Sequence, residues 1–393
     1  MNDDTEKNKG VKVDEELLNE WAMDTKSDVA IHFRQRLFSV EADGSGYQIV
    51  FPPTYANIGY NIDKLSNGES VVVIDSVGSQ ANRIEPLFKT NNKLKSLVPQ
   101  LKVTIDDDTK ISIFDIAHRA ADATVQATPD LAKMVNSAFK KLQNGDAEPL
   151  CSIAPTSLVF GVWDSRGETK EKRPRLLKSI VRGWNVEALH GAAQFNSLWK
   201  KLDENLRNEL EKEAKAKGKK LSDSGLKDAP SVFRKDAKVD KYLNGAPNPE
   251  ARVLGGVLIK GKIERELTIN LIALRSLHGG DDSKTKNIRQ YLLGLSLMAA
   301  TADLDFFLRE GCNLHLGDEE DIWYAVPRRG EPRRIDLASA HSLIEKYTKD
   351  ALEHFRPNWP KDESYQFDVK EAKKLIGKKA EEKSEDTDEA NSG

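Results

Sequence analysis

The 393-residue chain contains little cysteine and no long apolar run. Its two cysteines, Cys151 and Cys312, lie far apart and neither belongs to a CxxC pair. This excludes a disulfide scaffold and a zinc ribbon and is typical of a reducing compartment. The most apolar window, residues 291–302, is too short to span a bilayer because Asp303 and Asp305 follow it. Since the first residues also form no apolar signal region, we predict a cytoplasmic protein that makes no membrane contact.

The chain also lacks an excess of charge of one sign. It has 60 Lys and Arg against 63 Asp and Glu, a formal net charge of -3. A uniformly basic, histone-like binder and a wholly disordered polyelectrolyte are therefore excluded. A local basic surface remains compatible with this balance, because acidic segments elsewhere can offset it.

Known catalytic motifs are missing as well. The sequence contains no GxSxG, Walker A, GxGxxG or HExxH pattern, and none of its seven histidines has another within one helical turn. Asp115 and His118 form a single i, i+3 pair, which is too few residues for a metal site. Cys151 precedes a predicted strand, where a buried free thiol is commoner than a nucleophile. We therefore predict no catalytic residue, no metal site and no cofactor.

Strands and helices alternate along the ordered part of the chain, and the pattern favours an α+β fold over a doubly wound one. The predicted strands are residues 29–40, residues 71–77, residues 156–165 and two strands leading into a helix within residues 255–277. The predicted helices are residues 112–128 with Ser112 as N-cap, residues 284–310 and residues 337–355, and a hairpin is predicted within residues 312–330.

Three segments differ from the rest in composition. Residues 1–13 are polar, and residues 378–393 are acidic and of low complexity, so both are predicted to be disordered tails. Residues 200–252 begin with a charged helical pattern and continue into a stretch rich in Gly, Ser, Pro and Asp. We interpret this segment as an exposed insertion or linker.

A dense group of polar residues follows the predicted strand 71–77. Its members surround Gly78 and are Ser76, Ser79, Gln80, Asn82 and Arg83. Short donors around a glycine suit phosphate or sugar oxygens, and an arginine can form paired hydrogen bonds with one phosphate. The alternative is a helix start in which Ser79 is the N-cap and Arg83 pairs with Asp75 or Glu85.

The densest basic segment within the ordered regions is residues 166–182. Its cations are Arg166, Lys170, Lys172, Arg173, Arg175, Lys178 and Arg182. Such a segment can follow a polyanionic backbone, although charged runs are more often solvated faces. Trp163 and Trp184 lie beside it in the sequence, where they could stack on bases or pack in the core.

Several long blocks of this sequence resemble one protein family. They are FPPTYA (51–56), YNIDKL (60–65), VIDSVGSQANRIEPLF (73–88), DIAHRAADA (115–123), APTSLVFGVWDSRG (154–167), RPRLLKSIVR (173–182), TINLIALRSL (268–277) and YLLGLSLMAAT (291–301). The chain resembles the backbone subunit of type I-G (formerly I-U) CRISPR surveillance complexes, a Cas-seven-type branch of the RAMP superfamily. The resemblance extends from about residue 30 to about residue 315 and omits residues 200–252 and both tails.

The resemblance implies a modified RRM-like (ferredoxin-like) antiparallel sheet with large insertions that are described as palm, fingers and thumb. Residues 14–199 would form the first half of this core with finger-like insertions. Residues 200–252 would be a thumb-like insertion, and residues 253–377 would form the second half.

The resemblance also implies a function in antiviral defence. Copies of such a subunit stack head-to-tail along the CRISPR guide RNA and present the spacer for pairing with the target DNA strand. The implied protein partners are further copies of the chain, a fusion subunit of the Cas-five and Cas-six types, the large subunit and the helicase-nuclease. Because the nuclease is a separate protein, this subunit would be non-catalytic.

Two other functions stay open on the sequence alone. Some relatives in the superfamily cut target RNA with an acidic loop residue, and Asp75 and Asp164 are the candidates for that role. A small-molecule enzyme of unknown type is the third class. For the main hypothesis, the residues expected to contact guide RNA are Ser79, Gln80, Asn82, Arg83, His118, Arg119, Arg166, Arg173, Arg175, Lys178 and Arg182.

Overall fold

The computed structural model describes residues 10–42, 46–55, 58–164, 169–191, 202–218, 221, 242–243, 246–247, 253–318 and 321–375. In these ranges the chain is a mixed α/β protein with one large sheet and twelve α-helices. This architecture is compatible with the predicted α+β class. None of the helices in these ranges has the length and apolar character needed to cross a bilayer.

The strands are β1 (Val11–Lys12), β2 (Ala30–Ser39), β3 (Gln48–Val50), β4 (Thr54–Tyr55), β5 (Gly59–Tyr60), β6 (Ile62–Lys64), β7 (Ser70–Asp75), β8 (Lys102–Thr104), β9 (Lys110–Ser112), β10 (Val162–Trp163), β11 (Lys172–Arg173), β12 (Leu177–Trp184), β13 (Val186–Gly191), β14 (Tyr242–Leu243), β15 (Ala246–Pro247), β16 (Val253–Ile259), β17 (Ile263–Asn270), β18 (Phe307–Arg309), β19 (Cys312–Leu316), β20 (Ile322–Val326), β21 (Arg333–Asp336) and β22 (Ser364–Gln366).

The helices are α1 (Glu15–Met23), α2 (Val77–Ile84), α3 (Leu87–Thr90), α4 (Asn92–Lys95), α5 (Ala123–Gln126), α6 (Pro129–Gln143), α7 (Glu148–Ile153), α8 (Thr156–Val159), α9 (Glu204–Ala216), α10 (Leu271–Arg275), α11 (Asp282–Ala300) and α12 (His341–Leu352).

The large sheet has the strand order β1-β21-β20-β2-β17-β12-β7-β6, and β19 also pairs with β2. All of these pairs are antiparallel except β1 with β21. Side chains alternate between the two faces of each strand. In β2, Ile31, Phe33 and Leu37 are buried on one face, whereas Arg34 is exposed on the opposite face.

The inner face of the sheet carries two hydrophobic clusters. The larger one packs the helices, including α11 and α12, against one end of the sheet, with Phe33, Leu177 and Leu267 as sheet members. The smaller one contains Leu37 and Ile263 and fills the space under β16 and β19. The two clusters are separated along β2 and β17 by polar residues, which are described below.

Several predicted elements are confirmed and others are wrong. Residues 29–40 contain β2, and the charged pattern after residue 200 contains α9. Residues 112–128 are not one helix, because 3-10 turns at Ile113–Asp115 and Arg119–Ala121 interrupt them. Arg119 has a positive φ of 55°, which no α-helix accommodates. Residues 156–165 begin as helix α8 rather than a strand, because the buried side chains of α8 pack against α11.

The predicted hairpin and N-terminal tail also need correction. β19 and β20 both pair with β2 and follow one another along the same edge, so they are not partners in a hairpin. Residues 10–13 are ordered, since β1 pairs with β21 and Val13 is buried. Residues 1–9, the acidic segment 378–393 and most of residues 200–252 lie outside the described residues.

Gly294 permits the close packing of α11 on α12. A Cβ atom at this position would lie 2.9 Å from the Cβ and 3.1 Å from the Cα of Thr348. We expect Gly294→Ala to lower the free energy of unfolding by about 1–3 kcal/mol through overpacking, measured by urea denaturation. Gly78→Ala is the control, because its Cβ would meet nothing within 4 Å. Equal destabilisation by both substitutions would contradict this packing argument.

Candidate nucleic-acid interface

The carboxylate of Asp75 organises the segment that follows β7. Asp75 is fully buried and accepts hydrogen bonds from Ser79 Oγ at 2.7 Å and Gln80 Nε2 at 2.7 Å. It also forms ion pairs of 3.0 Å with the guanidinium groups of Arg83 and Arg309. Four donors around one carboxylate satisfy its hydrogen-bonding capacity, so the buried charge is compensated.

This arrangement decides between the two interpretations of the polar segment. Arg83 pairs with Asp75, as the structural alternative proposed, and its Nη2 also donates to the Leu308 carbonyl. The N-cap of α2 is Ser76 rather than Ser79. Gln80 is fully buried, so a direct contact between Gln80 and an RNA backbone is contradicted. Of this segment, Asn82 is exposed and Arg83 retains 30% side-chain exposure.

A buried polar chain extends from Gln80 across the inner face of the sheet. Gln80 Oε1 accepts a 2.7 Å hydrogen bond from Ser179 Oγ, which in turn accepts one from Arg265 Nε at 3.1 Å. Arg265 Nη1 donates to Gln35 Oε1 at 3.3 Å, and Gln35 Nε2 donates to Asp321 Oδ2 at 3.0 Å. These side chains form the polar row between the two hydrophobic clusters.

A surface groove of about 470 Å³ lies beside the N-terminal end of α2. It is formed by three separate parts of the chain, and its lining residues are Gly78, Asn82, Ala117, His118, Arg119, Gly161, Val162, Trp163, Lys172, Arg173, Pro174 and Arg175. The groove therefore contains four Lys or Arg side chains, and no Asp or Glu is among the described residues that line it. We call it the basic groove.

Arg175 is a cation of the basic groove that has no counter-ion among the described residues. Its side chain packs over Gly161, where a Cβ atom would lie 2.7 Å from the Arg175 Cγ. Within the described ranges, Arg175 makes no ion pair or hydrogen bond. Burial and, secondarily, the nearby Arg119 charge lower the pKa of Arg175. An anion bound beside Arg175 would relieve both effects.

Arg119 lies beneath the groove in a buried ion pair. Its Nε atom is 2.5 Å from Glu85 Oε2, its Nη1 donates to the Gly161 carbonyl at 3.3 Å, and the residue is 6% exposed. The expectation that Arg119 contacts the guide directly is therefore corrected, because its guanidinium already bonds within the protein. Its left-handed backbone is part of the turn that presents the exposed His118.

The short β10–β11 ladder adds an exposed aromatic residue to the groove. Trp163 is opposite Lys172 in this ladder and is 60% exposed, and Lys172 Nζ lies 5.4 Å from the Trp163 ring centroid. The sequence favoured a core position for Trp163 and did not select Lys172. Arg173 is held by an ion pair with Glu171 and by a hydrogen bond to the Leu142 carbonyl.

The remaining predicted residues lie elsewhere. Lys178 and Arg182 are on the outer face of β12, which is opposite to the face buried by Leu177 and Ser179. Arg182 pairs with Glu266 at 2.6 Å, whereas Lys178 is exposed. The structure does not bring these two residues to the basic groove. Arg166 lies outside the described residues.

Comparison with known proteins bears on this groove. Residues 36–188, about two fifths of the chain, match the family model described as CRISPR-associated protein GSU0053 (Cas_GSU0053). Over these residues the chain is similar to that CRISPR-associated family. The matched segment contains every residue that lines the basic groove. No curated protein matches the sequence.

The two acidic candidates for RNA cleavage are both buried. Asp75 is held by the four donors described above, and Asp164 accepts hydrogen bonds from the hydroxyl and amide of Thr169. Neither carboxylate lines the basic groove. In the part of the chain that the structure describes, no three His, Cys, Asp or Glu side chains are grouped so that they could hold a metal ion.

Removing the charge of Asp75 should strongly destabilise the fold. Asp75→Asn leaves Arg83 and Arg309 without their buried counter-ion, so we expect the free energy of unfolding to fall by about 3–5 kcal/mol in urea titrations. Asp115→Asn is the matched control, because Asp115 pairs with Lys89 at the surface, where such pairs contribute about 0–1 kcal/mol. Similar losses in both variants would contradict the assigned role of Asp75.

The buried Glu85 should make stability depend on pH. Burial raises its pKa from 4.5 to about 7, although the Arg119 charge opposes this rise. The folded state then binds the proton more tightly than the unfolded state, so the stabilisation is complete below pH 4.5 and is lost as pH rises to about 7. We expect Glu85→Gln to remove this decline in urea titrations over that pH range. Parallel pH profiles of the two proteins would contradict it.

Proposed function

We propose that this chain is a non-catalytic RNA-binding subunit of a CRISPR surveillance complex. In this proposal, copies polymerise along the guide RNA and present its spacer to the target DNA strand in antiviral defence. The observation that carries the proposal is Arg175, which has no counter-ion among the described residues. It lies in a groove whose described lining residues include four cationic side chains and no carboxylate.

The chemistry of the basic groove suits the sugar-phosphate backbone of RNA. Arg175 can donate two parallel hydrogen bonds to one phosphate, and Lys172 adds a second positive charge. Asn82 and His118 offer further hydrogen-bonding groups at the same surface. Contacts of this type position a nucleic acid without reading its sequence, which a protein that must accept any spacer requires.

Trp163 extends this argument to one base. The exposed ring can stack on a nucleobase, because every base has a π-face and stacking therefore tolerates any sequence. Lys172 lies over the same ring, so a stacked base would be close to a positive charge. An exposed tryptophan beside cations is thus in keeping with single-stranded RNA as the ligand.

The order of the central strands supports the RRM-like, Cas-seven-type assignment. In chain order the four central strands are β2, β12, β17 and β20, and their order in the sheet is β20-β2-β17-β12. Helices lie between the first two of these strands and between the last two. The order 4-1-3-2 with this β-α-β-β-α-β connectivity is that of a ferredoxin-like core. The type I-G subtype rests on the sequence resemblance alone.

Polymerisation requires two different complementary faces on each copy, because a head-to-tail contact that does not close continues as a filament. A filament along RNA would also align the basic grooves of successive copies on one strand. Within the proposal, the other partners are the Cas-five and Cas-six type fusion subunit, the large subunit and the helicase-nuclease.

Arg175→Ala should weaken RNA binding. We expect the affinity for single-stranded RNAs of unrelated sequence to fall alike, by about tenfold or more, because hydrogen bonds to charged groups contribute about 1.5–3 kcal/mol. The slope of log K against log salt should become shallower by about 0.7, since one phosphate contact is lost. Fluorescence anisotropy across a salt titration measures both quantities.

Lys178→Ala is the matched control, because it removes one exposed cation from the outer sheet face. Its affinity and salt slope should remain close to those of the unaltered protein. If Arg175→Ala binds as well as this control, the basic groove is not the RNA site.

If complementary RNA bound to the assembled complex is cut at regular intervals with Mg²⁺, the chain is a nuclease and the non-catalytic assignment is wrong.

A further inference from the structure

A second cavity, of about 560 Å³, lies on the inner face of the sheet. It is at the end of the polar row formed by Arg265, Gln35 and Asp321, whereas the basic groove lies near the other end, at α2. The floor of the cavity contains Phe33, Gln35 and Arg265 from β2 and β17, and its opening lies near Thr301 and His341, where α11 ends and α12 begins. The volume lies within the range of small-molecule sites, about 300–1,000 Å³.

Arg265 is a buried cation with an unused donor. It is 2% exposed, and its hydrogen bonds go to the neutral oxygens of Ser179 and Gln35. Its Nη2 atom is buried without a hydrogen-bond partner within the described ranges. Burial lowers the pKa of Arg265 to about 10. A buried donor without an acceptor is costly, so a ligand oxygen at this position would be stabilising.

Asp321 supplies an acceptor on the same cavity wall. Gln35 holds it through a 3.0 Å hydrogen bond to Oδ2, and no hydrogen bond from the described residues reaches its Oδ1. The amide of Gln35 therefore connects a donor, Arg265 Nη2, with an acceptor, Asp321 Oδ1. A ligand that matches both must present an oxygen acceptor and N–H donors along one edge.

The other walls of the cavity suit a flat ring. Phe33 and Trp323 are stacked with ring centroids 4.2 Å apart, and Phe306 also lines the cavity. The Arg265 guanidinium carbon lies 5.8 Å from the centroids of both phenylalanine rings. Aromatic side chains of this kind favour planar, apolar-faced ligands.

We propose that this cavity binds a planar heterocycle of the guanine class. The ring oxygen at position 6 accepts from Arg265, the N–H groups of the same edge donate to Asp321, and the ring packs against the aromatic walls. Adenine carries the reverse pattern, with a donor at position 6 and an acceptor beside it, so it would oppose donor to donor and acceptor to acceptor.

The site is separate from the basic groove in both residues and chemistry. The groove has an excess of cations for phosphate, whereas the cavity joins one arginine to one carboxylate for a neutral ring edge. A hydrogen-bonded row runs from Gln80, on the helix beside the groove, to Asp321 at the cavity. The inference does not depend on the proposed RNA-binding function.

Isothermal titration of the full chain with guanosine and with adenosine tests the proposal. We expect guanosine to bind and adenosine to bind at least about tenfold more weakly, because a site built for a hydrogen-bonding edge rejects the mismatched one. A parallel titration with the trinucleotide UGU distinguishes the two sources of this base. Tighter binding of UGU than of guanosine indicates a base within RNA, and the opposite order indicates a free nucleoside.

Asp321→Asn should abolish the preference for guanosine, since it replaces an acceptor by a donor of the same shape. Asp303→Asn is its matched control, because it removes an equal charge from the exposed cavity rim.

Ala338→Trp, at another exposed position of the rim, should block guanosine without altering the polar row. Arg175→Ala should leave guanosine binding unchanged. Equal binding of both nucleosides, no binding of either, or full guanosine binding by Asp321→Asn in a folded protein would overturn the proposal.

Discussion

The buried carboxylate of Asp75 is the interaction on which the functional surface depends. It ends β7 inside the protein, where an unpaired charge would be prohibitively costly. The helix α2 and the strand β18 therefore converge on it through Arg83 and Arg309. Because α2 is held in this way, its exposed side presents Gly78 and Asn82 to the basic groove.

The polar row that continues from Asp75 shapes the rest of the inner sheet face. Gln35, Ser179 and Arg265 of this row lie on β2, β12 and β17, so the row specifies how these three strands are aligned. A one-residue shift of any of these strands would move its polar residue to the outer face and leave its partner unsatisfied. The same row separates the two hydrophobic clusters and leaves the cavity beside Arg265.

The basic groove was only partly predictable from the sequence. The charge of residues 166–182 and the polar group after β7 indicated anion binding, and Asn82, His118, Arg173 and Arg175 do line one groove. Lys178 and Arg182 follow in the same charged run, but the alternation of β12 directs them to the opposite face. Trp163 lacked any sequence signal of exposure, because its environment depends on the pairing of β10 with β11. Gln80 and Arg119 carry polar groups that serve partners distant in the sequence.

The sequence by itself determined the features that depend on neighbouring residues. These include the strand β2, the charged helix α9, the exclusion of disulfide and zinc scaffolds, and the presence of a concentrated basic segment, since periodicity and composition are local properties. Only the tertiary structure decided that residues 156–159 are helical, that β19 and β20 follow one another on β2, and that Asp75 is the partner of Arg309. Burial and long-range pairing override local preference, because the free energy of a buried charge or an apolar face depends on what the fold brings against it.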